Sequence, residues 1–123
     1  APPTAPRTPP VTPGKDDMAA LLATIASFAN QGKSSEARAA CDRYLQQYEP
    51  VAQVFYWQGL LSEVEGNIAQ AQGFYRKALY LEPQHPETLA QLAALLTAQG
   101  DSVGARRLTE RAARNVNKQG SNR

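Results

Sequence analysis

Residues 52–85 read AQVFYWQGLLSEVEGNIAQAQGFYRKALYLEPQH, and this stretch decides the fold. It reads as two helices on either side of Gly66. Glycine readily takes the left-handed backbone that ends a helix. Asn67 follows and can N-cap the next helix; Gln70, three residues on, gives capping-box spacing. Pro83 and Pro86 bracket the joint that comes after. Pro86 suits the first turn of a further helix, where no backbone donor is needed.

A shift of 34 residues in either direction finds the pattern again. Gly32, Gly66 and Gly100 fall in one column, and Ala37, Ala71 and Ala105 in another. Leu21, Phe55 and Leu89 make a third. Tyr44, Ala78 and Ala112, then Leu45, Leu79 and Ala113, complete five columns in register, defining blocks 18–51, 52–85 and 86–119. In the third block Leu89, Leu92, Ala93 and Leu96 precede the glycine at helical spacing. Ala105, Leu108, Ala112 and Val116 follow it in the same way. Asp101 is placed to cap like Asn67. Lys33 is a poor cap, so Ser34 is expected to take that role. Pro50 marks the first joint. Ala is concentrated here, with 19 of 21 between Met18 and Ala113, which favours helix and close helix approach. The expected class is all-α, with no strand.

A 34-residue helix–turn–helix unit with these columns resembles the tetratricopeptide repeat. Phe55, Gly59, Ala71, Tyr75, Ala78 and Pro83 fall in the family's signature columns, while Gln58 and Ser62 stand where large apolar residues are usual. The third block keeps Leu92, Ala93, Leu96, Ala105 and Ala112 but has Thr109 in an aromatic column. The first block is the most degenerate, with Phe28, Ala37 and Cys41 as its best matches. The resemblance implies three helix pairs over residues 18–114, forming a short right-handed superhelical array. A narrower similarity, carried by residues 74–87 and especially Ala78 to Leu81 with Pro83, is to the C-terminal repeat region of CheR-type chemoreceptor methyltransferases. It implies a cytoplasmic regulatory module, with an S-adenosylmethionine-dependent protein-glutamate methyltransferase domain upstream. The implied partner is a chemoreceptor, another signalling protein or that methyltransferase domain.

The rest of the composition narrows the function classes. The 123 residues suit one domain, and 13 Lys+Arg against 11 Asp+Glu exclude a polycation or an acidic tail protein. Six of nine prolines lie in the first 13 residues, so 1–17 reads as an extended, disordered linker. Its PTAP tetrapeptide, Pro3 to Pro6, is read as linker composition. The segment lacks the apolar run of a secretory signal, and with Ala at its start the chain reads as a processed or excised piece. No run of 18 apolar residues offers a membrane span. Asn115 to Arg123 is polar and expected to fray.

No active site is expected in this chain, nor any cofactor or metal. Cys41 is the single Cys and His85 the single His. A nucleophilic Cys41 would need a nearby base, and its column faces packing, so a buried thiol is expected. His85 reads as a helix cap or surface residue. Glu63 and Glu65, two apart, point to different helix faces and read as solvated carboxylates.

The expected site is therefore a groove lined by the first helices. Helical phase places Gln53, Tyr56, Trp57, Leu60, Glu63 and Val64 there from the second block, and Gln91 and Ala94 among others from the third. Large amphipathic rings dominate binding energies, which singles out Tyr56 and Trp57. Packing between repeats is the competing role for Trp57. These faces carry no Lys or Arg, so a carboxylate clamp is excluded and an apolar or basic peptide is the expected ligand.

Charge is uneven. Residues 102–123 hold six basic groups against Glu110, a net of +5. Arg106, Arg107, Arg111 and Arg114 offer a surface to an acidic partner or, less favoured, nucleic acid. A helix end kept soluble by arginine is the plainer reading. A free-standing adaptor for pilus or envelope assembly is the alternative to the methyltransferase module. Val103, Leu108 or Val116, left without a capping helix, would either support weak self-association or be covered by the arginines, leaving a monomer.

Overall fold

A computed structural model describes residues 15–121, and their side chains over 16–114. The Pro-rich segment 1–14, with its PTAP tetrapeptide, lies outside the described residues, as does the end of the chain beyond Ser121. Six helices follow one another: α1 Lys15–Asn30, α2 Ser34–Gln47, α3 Ala52–Val64, α4 Ile68–Leu81, α5 Pro86–Ala98 and α6 Ser102–Ser121. No strand occurs among the described residues, and the helices pair as the three blocks require.

The punctuation follows from residue chemistry. Gly32, Gly66 and Gly100 have φ of 75°, 83° and 90°, the left-handed backbone each helix end needs. Asn67 caps α4, its Oδ1 accepting the Gln70 N–H at 3.2 Å while its amide donates to Gln70 Oε1 at 2.6 Å. Asp101 Oδ1 accepts from the Gly104 N–H at 2.9 Å at the start of α6. Pro86 opens α5. Ser34 departs from expectation. It is the first residue of α2, and Lys33 occupies the cap with no side-chain bond. The turn after Gly32 is closed instead by backbone, Lys33 N–H donating to Phe28 O at 2.9 Å.

Two boundaries also move. Helix α1 begins at Lys15, because Pro13 is the last residue in that region that cannot continue a helix and Asp16 and Asp17 favour the first turn. Helix α6 runs past Arg114 to Ser121, a stretch without proline.

The chain divides into two compact units, one ending at Pro50 and the other beginning at Val51. In the first, α1 packs on α2, and Ile25, Ala37, Ala40, Cys41 and Tyr44 are buried. The Tyr44 and Tyr48 rings lie 4.9 Å apart. In the second, α3 pairs with α4, α5 with α6, and α4 joins the pairs. Its core gathers Ala71, Tyr75, Leu89, Leu92, Leu96, Ala105 and Leu108. Leu89 and Leu92 are each 1% exposed, and burial of such a side chain contributes roughly 1.5–3 kcal/mol. Alanine and glycine set the helix spacing. Gly59 on α3 sits directly under the Tyr75 ring of α4, where any Cβ would overlap ring carbons.

Candidate binding face on the first helices

Helices α3 and α5 are the first helices of the second and third repeats. Side-chain bonds tie them together at both ends of α3. At one end His85, the N-cap of α5, reaches Gln53 of α3, Nε2 to Oε1 3.0 Å. At the other, Gln91 Nε2 donates to Glu63 Oε2 at 3.3 Å. Tyr75 also donates its hydroxyl to Glu63 Oε2 from below. Glu63 is therefore half-buried with two donors and is not the freely solvated carboxylate expected. The expectation followed α3 alone, whereas Tyr75 arrives from α4.

Tyr56 sits between these ties. Its ring centroid is 6.2 Å from that of Tyr75 and 5.8 Å from that of His85. Burial, and then the Glu87 and Glu63 carboxylates, push its hydroxyl pKa up. Tyr56 therefore stays a neutral donor and acceptor, with an apolar ring and a polar tip.

The other expected residues divide by exposure. Val64 is 74% exposed and Ala94 is exposed, so both are open to a ligand. Trp57 is half-buried, and among the described residues no ring stacks on it. Gln53 and Gln91 are half-buried and engaged as above. Leu60 and Tyr56 both lean on the core of this unit and present only part of their surface. The face has no lysine or arginine among the expected residues, and Glu63 and Glu87 are its nearby charges.

Chemistry is otherwise scarce. No group of three His, Cys, Asp or Glu among the described residues is arranged to hold a metal ion. Cys41 is buried, and burial, with Asp42 adding and Arg38 opposing, pushes its thiol up to about 12. His85 is a cap, as expected, but a buried one at 5% exposure. Its burial has no local signature, because Gln53 and Tyr56 come from α3, far away in sequence.

The basic end is dispersed. Arg106, Arg107 and Arg114 are exposed and Arg111 is half-buried, with one guanidinium nitrogen donating to Pro83 O at 3.3 Å. Arg107 and Arg111, one turn apart, share a cleft with Arg76 of α4, which charge clustering along the sequence misses. Val103 is 49% exposed, Leu108 is buried, and the Val116 side chain lies outside those described. No helix among the described residues is long and apolar enough to cross a membrane.

Comparison with known proteins agrees with this architecture. Residues 65–121 match the family model described as tetratricopeptide repeat. The chain is also 68% identical, over 94 residues, to a probable biofilm formation methyltransferase WspC of Pseudomonas putida. It is 65% identical over 96 residues to the protein of the same description from Pseudomonas aeruginosa. These alignments cover 76% and 78% of this chain but only 22% and 23% of the relatives, so the chain spans about a fifth of their length.

Proposed function

We propose that the chain, whose residues 65–121 match the tetratricopeptide repeat family model, is the partner-binding, regulatory module of a WspC-like methyltransferase. It binds and does not catalyse. Methyl transfer belongs to a part of the protein outside these residues. The ligand is an extended or helical segment of a chemoreceptor, another signalling protein or the methyltransferase domain itself, laid along α3 and α5.

One observation carries this reading. The two first helices are bridged by His85–Gln53 and Gln91–Glu63, and Tyr56, Trp57, Val64 and Ala94 on these helices all keep surface exposed. A rigid face loses little entropy on binding, and an aromatic anchor on it contributes disproportionately. Such a module is regulatory because it sets where the linked enzyme acts and requires no chemistry of its own.

The test titrates receptor and catalytic-domain segments against the wild-type chain, Trp57→Ala and Val64→Glu. Loss of an aromatic anchor is expected to weaken binding by about tenfold or more. Equal affinities in all three proteins would remove this face from the site.

A further inference from the structure

Away from the α3–α5 face, helices α4, α5 and α6 enclose a cleft of about 460 Å³. Its lining has two characters. Leu79, Leu92, Leu96 and Leu108 make an aliphatic floor, while Arg76 stands on the α4 wall opposite Arg107 and Arg111 on α6. Tyr80 also lines the cleft and is 86% exposed. Among the described residues neither Arg76 nor Arg107 has a carboxylate partner. The one acid in the lining, Asp101, is already engaged, because its Oδ1 accepts the Gly104 N–H. Gly104 adds no side chain to the opening.

We propose that this cleft docks an acidic peptide segment of a partner protein. An aliphatic or aromatic side chain of that segment packs against Leu79 and Tyr80, and its carboxylates meet Arg76, Arg107 and Arg111. Guanidinium groups bind carboxylates bidentately, and are weakly enough hydrated to do so at a partly desolvated rim. Arg111, held half-buried by Pro83 O, is pre-positioned for this. The chain's own ends do not match the cleft in charge. Residues 1–14 carry Arg7 and no acid, and residues 115–123 carry Lys118 and Arg123 and no acid. Leu79 and the exposed Tyr80 give an apolar side chain a contact in the cleft that a phosphate backbone cannot use, which favours a peptide over nucleic acid. Neither Trp57 nor any other residue of the expected face lines the cleft.

The probe is a short synthetic peptide with glutamates flanking a central Leu-Phe pair, titrated against the full chain by calorimetry. Binding is expected, weakening as salt is added. Arg76→Glu with Arg107→Glu should lower the affinity about tenfold or more, and Trp57→Ala should leave it unchanged. Arg107→Gln, which only neutralises one exposed side chain, should give a smaller loss in the same direction. Helical circular dichroism checks that both variants fold. The proposal is overturned by absence of peptide binding or by equal affinity in the arginine variants. It is equally overturned if a lysine-for-glutamate peptide, a single-stranded oligonucleotide or anionic vesicles bind in preference. Self-association that the double variant abolishes would assign the cleft to a second copy and overturn it too.

Discussion

The ring of His85 joins two repeats, its Nε2 lying 3.0 Å from Oε1 of Gln53. Its other nitrogen, Nδ1, accepts the Thr88 backbone N–H at 3.3 Å and lies 2.7 Å from Thr88 Oγ1. A ring nitrogen that accepts from a backbone N–H carries no proton, which assigns the proton to Nε2 and makes it the donor to Gln53. Glu87 Oε1 stands 3.4 Å from the same nitrogen. One buried side chain thus caps α5 and ties its start to α3. His85→Ala removes both functions and is expected to destabilise the fold by about 2–3 kcal/mol. His85→Asn keeps a capping acceptor and should recover about 1 kcal/mol of that loss. Urea titration of the three proteins measures both steps.

Gly59 lies under the Tyr75 ring, and that ring is held in place at its far end by Glu63. A methyl group at position 59 meets ring carbons that cannot retreat without giving up the Glu63 bond. Gly59→Ala would ordinarily gain about 1 kcal/mol of helix propensity. Here overpacking should outweigh that gain, for a net loss of about 1–3 kcal/mol. The thermal midpoint reads the sign directly. Combining Gly59→Ala with Tyr75→Leu should be less damaging than the sum of the two, because the smaller side chain removes the overlap.

The periodic part of this fold is legible in the sequence because it is set by local constraints. Gly32, Gly66 and Gly100 stand out since a positive φ restricts the residue type at that one backbone site. Asn67 and Asp101 are readable as caps because their partners lie only three residues away. What is not legible comes from meetings between helices. Gln53 is 32 residues from His85, and Tyr75 is 12 from Glu63. Helical phase on one helix gives no view of either contact, so His85 reads as a surface cap and Glu63 as solvated. Arg76 escapes for the same reason. It sits on α4, far in sequence from the arginines of α6 with which it shares a cleft.

Gln58 is 4% exposed, and its Oε1 has no hydrogen-bond partner. Ser62, one turn on, satisfies its own hydroxyl by donating to the Gln58 backbone carbonyl at 2.9 Å, so it offers no help. An unpaired buried carbonyl costs about 1–3 kcal/mol, and the column is one where an apolar side chain is usual in this repeat. Gln58→Leu is therefore expected to raise stability by about 1 kcal/mol or more. A lowered urea midpoint would show that the amide is satisfied in solution.

Cys41 offers a probe of the first unit. It is fully buried on α2, with its thiol pushed up to about 12 by burial first and Asp42 second. The thiolate is the reactive species, so at neutral pH both access and ionisation protect it. A thiol reagent is expected to label the native chain at least about a thousandfold more slowly than the urea-unfolded chain. The labelling rate against urea then follows the opening of α1 from α2. Mass spectrometry of quenched samples supplies the time course, and equal rates in both states would place Cys41 at the surface.

Tyr75 makes stability depend on alkaline pH. Its hydroxyl pKa is raised by burial first and by its hydrogen bond to the Glu63 carboxylate second. The folded state therefore holds this proton more tightly than the unfolded chain, in which tyrosine titrates near about 10. The contribution is complete below about pH 10 and is lost as pH rises above it, because the unfolded state ionises first. Tyr75→Phe removes the titrating group and leaves Glu63 with Gln91 alone. It should lower stability by about 1 kcal/mol at neutral pH. Between about pH 9 and about pH 11 the variant should then lose less than the wild type, so the two curves converge. Tyr44, in the first unit, cancels in the difference, whereas Tyr56 faces Tyr75 and Glu63, so the comparison is made in a Tyr56→Phe background. Parallel curves would mean that the Tyr75 hydroxyl is free of Glu63 in solution.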